Sequence, residues 1–119
     1  MPGRVRLVAV LCCWLGCQRG GADKRSLPEA EREVRRFFAL LEAGDCTQLR
    51  ALMARPESCD GMVHEYQETA SRLVEVVEVK PDGRDARIVL ITVHVQDRKR
   101  LHTWVVRARP RAGGWEVSL

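Results

Sequence analysis

This 119-residue chain lacks most of the patterns that announce a chemistry. No two cysteines stand in a Cys-x-x-Cys spacing, which removes the commonest zinc and redox signatures. No Ser/His/Asp order, paired-carboxylate arrangement or phosphate-cradling glycine loop stands out, and Gly20-Gly21 and Gly113-Gly114 are isolated pairs. No internal repeat is visible. The chain carries no strong excess of charge either. It has 20 basic and 16 acidic residues. Setting aside Arg4 and Arg6 at the extreme N-terminus leaves 18 against 16, a balance of +2, and nucleic acid is not an expected partner for so even a chain.

What is present begins with the N-terminus. Arg4 and Arg6 precede an apolar run over residues 7–15, and polar residues from Gln18 to Arg25 follow. A membrane-spanning helix needs roughly 20 apolar residues. The run is much shorter and reads as an export leader. Trp14-Leu15-Gly16-Cys17 resembles the lipobox of bacterial lipoproteins, with Gly16 and Cys17 matching and Trp14 standing where an aliphatic residue is usual. The resemblance implies cleavage before Cys17 and diacylation of its thiol. Residues 1–16 are then a signal peptide, residues 17–25 a lipidated tether, and residues 26–119 the domain. The expected location is the bacterial cell envelope, anchored to a membrane and facing the periplasm. Ordinary secretion, with a cut after Ala22, and an uncleaved anchor stay open.

Of the five cysteines, Cys12 and Cys13 leave with such a leader and Cys17 takes lipid. Cys46 and Cys59 remain, in a compartment where disulfides persist, and a bridge between them is expected. About 100 residues make one small domain with a modest core, so a bridge worth about 2–4 kcal/mol matters. Metal is not expected. His64 is the only histidine near this cysteine pair in sequence, and structural zinc usually takes four ligands.

The rest reads as helices followed by strands. Ser26, Pro28 and Glu29 open a helix. Ala30, Val34, Phe37, Phe38 and Leu41 then recur at helical spacing up to a stop at Gly44. A second helix is expected over residues 47–54 and a third over residues 61–73, with Met62, Val63, Tyr66, Ala70 and Leu73 inward. Residues 73–80 are rich in β-branched side chains. Pro81-Asp82-Gly83 is a turn. Residues 86–95 read as a central strand covered on both faces. Residues 101–109 and 115–119 alternate in the manner of strands. The short connections predict hairpins, and so an antiparallel meander of four strands with the first helix as its cover.

This α+β layout resembles the nuclear transport factor 2-like superfamily, a cone-shaped half-barrel. The residues that carry the likeness are the first helix from Glu31 to its Gly44-Asp45 step and the closing Gly114-Trp115-Glu116-Val117. The superfamily holds isomerases, dehydratases and cyclases beside binding and assembly modules, so the likeness fixes no function. The first helix lacks the tyrosine or aspartate that isomerase-like members often carry there.

Four side chains are candidates for a pocket: Tyr66, His94, His102 and Trp104. His94 could serve as a general base. His102 and Trp104 share a strand face, and Tyr66, with His64, could close a site for a small amphipathic ligand. The bland readings are a rim histidine for His94, core packing for Trp104 and Tyr66, and surface for His64. Arg98, Lys99, Arg100, Arg107, Arg109 and Arg111 cluster on the last hairpin. They would meet anionic headgroups or an acidic partner, or simply protect a sheet edge. The expected role is a lipid-anchored binding or interaction module without catalysis or cofactor. Its expected partners are the membrane, a small apolar ligand or envelope protein, and a second copy of the chain. The alternatives are a small envelope enzyme using His94 with Tyr66 or His102, and a structural envelope-assembly lipoprotein.

Overall fold

The computed structural model describes residues 26–119. The leader, Cys17 and the tether lie outside the described residues. Helix α1 (Ser26–Ala43) buries Ala30, Val34, Phe37, Phe38 and Leu41, one stripe at helical spacing. Its opposite side is laced by exposed pairs, Arg35 with Glu31 at 2.9 Å and Arg36 with Glu33 at 3.5 Å, each worth only tenths of a kcal/mol. The helix ends where the pattern predicts. Gly44 sits at φ 71°, its N–H donates to the Leu41 carbonyl, and the Asp45 N–H donates to that of Leu40, a Schellman turn. A side chain at Gly44 would also meet the Gln67 side chain at 2.9 Å.

Asp45 then caps the short helix α2 (Cys46–Leu49) by accepting from the Gln48 N–H at 3.1 Å. The expected helix over residues 47–54 is cut short. The chain tightens into a 3-10 turn, Arg50–Leu52, and Met53 extends to make a single parallel bridge with Val117. Pairing with the sheet outweighs helix propensity there. A second 3-10 turn, Pro56–Ser58, leads into α3 (Cys59–Glu68). The third helix therefore starts and ends earlier than expected. Its end is another Schellman turn, with Ala70 in the left-handed region at φ 52° and the Ser71 N–H on the Tyr66 carbonyl at 3.0 Å. Ala70 is thus exposed rather than inward, and Leu73 belongs to the sheet. Cys46 and Cys59 are joined as a disulfide with Cα atoms 6.0 Å apart, and this pins the start of α2 to the start of α3.

Strands β1 (Arg72–Pro81), β2 (Val89–Gln96), β3 (Leu101–Arg111) and β4 (Gly114–Ser118) form one antiparallel sheet in the order β1-β2-β3-β4. The chain is thus α+β with a meander sheet. Strand β1 departs from simple alternation. Register shifts after Leu73 and Val76 leave Val74 and Val77 as extra residues. Burial accordingly recurs every third residue, at Leu73, Val76 and Val79, and the bulges bend this edge strand. Strand β2 is not covered on both faces. Val89, Ile91, Val93 and Val95 are fully buried, while Leu90, Thr92, His94 and Gln96 are only partly covered. Helix α1 lies across the buried face and touches all four strands.

The two Schellman turns generate a paired prediction. Gly44→Ala forces an alanine into the left-handed region against Gln67 and should lower stability by about 1–2 kcal/mol. Ala70→Gly relieves the same strain and should raise it by up to about 1 kcal/mol. Urea denaturation checks both signs, and loss of stability in Ala70→Gly would contradict the reading.

Candidate functional site

Where α1 ends, the helical layer stops short of the far end of the β2–β3 hairpin, and α3 stands across the gap. The result is an open cleft of ≈ 840 Å³, within the range of small-molecule sites. Its apolar wall comes from Leu41, Met62, Tyr66, Trp104 and Leu119. The aromatic part is a packed trio. Phe38 lies behind, with ring centroids 6.2 Å from Tyr66 and 6.1 Å from Trp104, and Tyr66 meets Trp104 edge-on at 6.4 Å. Such offset contacts hold the rings in fixed orientations. Tyr66 is 5% exposed, and its hydroxyl has no hydrogen-bond partner among the described residues. Burial first, and the Glu42 carboxylate second, push its phenol above the ordinary value, so it is neutral at any physiological pH.

The polar side of the cleft is built by the β2–β3 turn. Asp97 accepts backbone N–H bonds from Lys99 at 2.7 Å and Arg100 at 2.9 Å through one oxygen. Its other oxygen lies 2.6 Å from His102 Nε2. The two backbone donors, and after them His102, hold its carboxyl down at about 2. An ionised carboxylate only accepts, so Nε2 must carry the proton, and a neutral His102 presents Nδ1 as an acceptor. The Arg98 N–H donates to the Thr69 carbonyl at 3.2 Å, which ties the turn to the end of α3 and fixes the width of the cleft at that end.

The four pocket candidates separate into two groups. Tyr66, His102 and Trp104 all line the cleft, and His94 does not. Residues 94 and 95 point to opposite faces of β2. His102 pairs across the ladder with the buried Val95, whereas His94 pairs with Thr103 and lies on the outer face with its Nδ1 3.0 Å from Glu75. The structure does not assemble His94 with Tyr66 or His102. His64 is also elsewhere, exposed on α3 and paired with Glu68 at 2.9 Å. The basic residues of the last hairpin are all exposed. Arg111 donates to the Ala51 carbonyl and lies 3.5 Å from Glu116, and Arg109 lines a small surface depression with Asp85 and Arg87.

Three carboxylates of the cleft, Asp97, Glu57 and Glu65, are not legible in the sequence as site residues. Asp97 did carry a signal: an aspartate opening a tight turn, with a histidine five residues later on the returning strand. Among the described residues no group of His, Cys, Asp and Glu is arranged to hold a metal ion, and no helix is long and apolar enough to cross a membrane. Compared with models of known protein families and with curated protein sequences, the chain finds no match.

The Asp97 network implies a dependence on pH. Its carboxyl titrates lower in the fold than in the unfolded chain, where the usual value is about 3.9. Its ionised form therefore stabilises the fold above that value, and the contribution is lost as pH falls from about 4 through about 2. Asp97→Asn should flatten the melting temperature against pH in this window and lower it at neutral pH. An unchanged slope in the variant would show that Asp97 is not responsible.

Proposed function

We propose that this chain is an envelope lipoprotein, anchored through acylated Cys17, whose domain binds a small amphipathic molecule in the cleft between α3 and the β2–β3 hairpin. The observation that carries this reading is the cleft itself, with apolar walls on one side and the Asp97–His102 pair on the other. Clefts of that make-up and size hold small ligands in many folds. The α+β meander, with its long first helix laid over one sheet face, is compatible with the nuclear transport factor 2-like half-barrel, and we assign the domain to that fold as part of the same proposal. Binding is favoured over catalysis because the particular acid–base group foreseen from the sequence is split between the two faces of the sheet.

The outer sheet face supports a second proposal, self-association. Val74, Val77 and Val105 are 54%, 50% and 53% exposed there, beside the half-covered Leu90 and Thr92. Exposed apolar groups gathered on one face are a common mark of an interface. Light scattering should give twice the monomer mass for the wild type and the monomer mass for Val105→Glu. A monomeric wild type at high concentration overturns this part.

Gly61 provides the test of the cleft. It lines the opening, and a side chain there meets nothing within 4 Å. Gly61→Leu should therefore keep the fold and fill the cleft. Titrating the full chain with the neutral probe 3-phenyl-1-propanol should give a saturable change in tryptophan emission, lost in Gly61→Leu at unchanged melting temperature. No saturable change in the wild type, or an unchanged one in the variant, contradicts the reading. Intact mass from the native membrane tests the anchor: the expected species begins at an acylated Cys17, and an unlipidated N-terminus elsewhere rules the anchor out.

A further inference from the structure

Resting on the cleft as a binding site, we propose that its ligand is a cation: an amine or quaternary ammonium carried on a small apolar body. The charge pattern of the walls is the starting point. Glu57, Glu65, Asp97 and His102 line the cleft, and no lysine or arginine is among its lining residues. The chain as a whole has 20 Lys and Arg against 16 Asp and Glu. The cleft thus has the opposite sign to the molecule that carries it.

The carboxylates differ in how far they are already engaged. Asp97 is committed to the turn and to His102. Glu57, on the 3-10 turn before α3, and Glu65, on α3 one turn from the Cys59–Glu68 helix end, make no ion pair among the described residues. Both are exposed and can meet an incoming cation without first losing a partner. Low-dielectric walls behind them focus their field into the opening.

The apolar wall suits the same ligand. Trp104 lines the cleft partly exposed, with Phe38 and Tyr66 packed behind it. The face of an indole or phenol attracts a cation through its quadrupole, and most strongly where water is partly excluded. Met62 adds a polarisable thioether to the same wall. An anion would meet three carboxylates and no lysine or arginine on the lining. A neutral apolar molecule would use the rings and leave the carboxylates without a role in recognition. Arg98, Lys99 and Arg100 are exposed at the tip of the hairpin and do not line the cleft.

Three probes of one shape test the inference on the full chain in nanodiscs of zwitterionic lipid: 3-phenylpropyltrimethylammonium, 3-phenyl-1-propanol and 3-phenylpropanoate. The expected result is that the ammonium binds about tenfold more tightly than the alcohol and that the carboxylate binds most weakly. The preference should shrink as salt rises. The double variant Glu57→Gln, Glu65→Gln alters two exposed side chains, so its fold is expected to hold, and it should bring the ammonium close to the alcohol. If the alcohol binds and Gly61→Leu abolishes that binding, but the ammonium gains nothing over it, the cleft stands as a site and the cation assignment is overturned. If none of the three binds, or Gly61→Leu has no effect on any of them, the binding reading fails and the assignment falls with it.

Discussion

The sheet has one face that must leave water, and α1 is what removes it. Val89, Ile91, Val93 and Val95 on β2, with Val106, Ala108 and Val117 beside them, lie against Val34, Phe37, Phe38 and Leu41 of the helix. Each fully buried valine, leucine, isoleucine or phenylalanine of this set contributes about 1.5–3 kcal/mol, far more than any ion pair on the surface. The remaining features follow from that layer. A single helix of 18 residues cannot also cover the second face, so Leu90, Thr92 and His94 stay half exposed. It ends at the Gly44 turn, so the far end of the β2–β3 hairpin is left to α3. The cleft is the space between α3 and that end of the hairpin.

Two local devices keep that space open and shaped. The Cys46–Cys59 bridge closes 13 residues of chain and, by restricting the unfolded ensemble, contributes about 3 kcal/mol. It also sets where α3 begins. At the other end, Asp97 organises the hairpin turn and the Arg98–Thr69 bond fastens that turn to the end of α3. Gly61, Met62, Glu65 and Tyr66 are carried on the helix held between these fixed points. The cleft wall is therefore rigid where its aromatic rings sit and open only at the exposed rim.

Much of the fold was legible because its strongest elements obey simple periods. The α1 stripe, the Gly44 stop and the succession of helices and then hairpin strands follow from spacing and turn chemistry, and the cysteine pair from which cysteines an export leader and its lipid would remove. The departures have physical causes. Residues 50–53 leave the helix because Met53 and Ala54 pair with β4, a contact between distant segments that local propensity does not contain. The third helix stops at Ala70, where an alanine adopts a conformation usually given to glycine. Strand β1 repeats every three residues because two bulges each add one. The site was legible in part. His102 and Trp104 share a strand face that the sequence shows, and Tyr66 is a candidate to close a pocket beside them, but His94 could not be separated from them until the core face of β2 was known. Glu57 and Glu65 do not stand out as site residues because nothing in a sequence marks which solvated carboxylates surround one opening.

The two sheet faces thus have different characters: an acidic, aromatic cleft on the helical side, and on the other a surface where Val74, Val77 and Val105 are exposed beside the His94–Glu75 pair. Backbone and indole NMR resonances of the full chain, followed during addition of 3-phenylpropyltrimethylammonium, test that division directly. The account predicts saturable shifts at the Trp104 indole and at the amides of Gly61, Glu65 and His102, with Val74, Val77, His94 and Val105 unmoved. Shifts on the outer face with a silent cleft would contradict it.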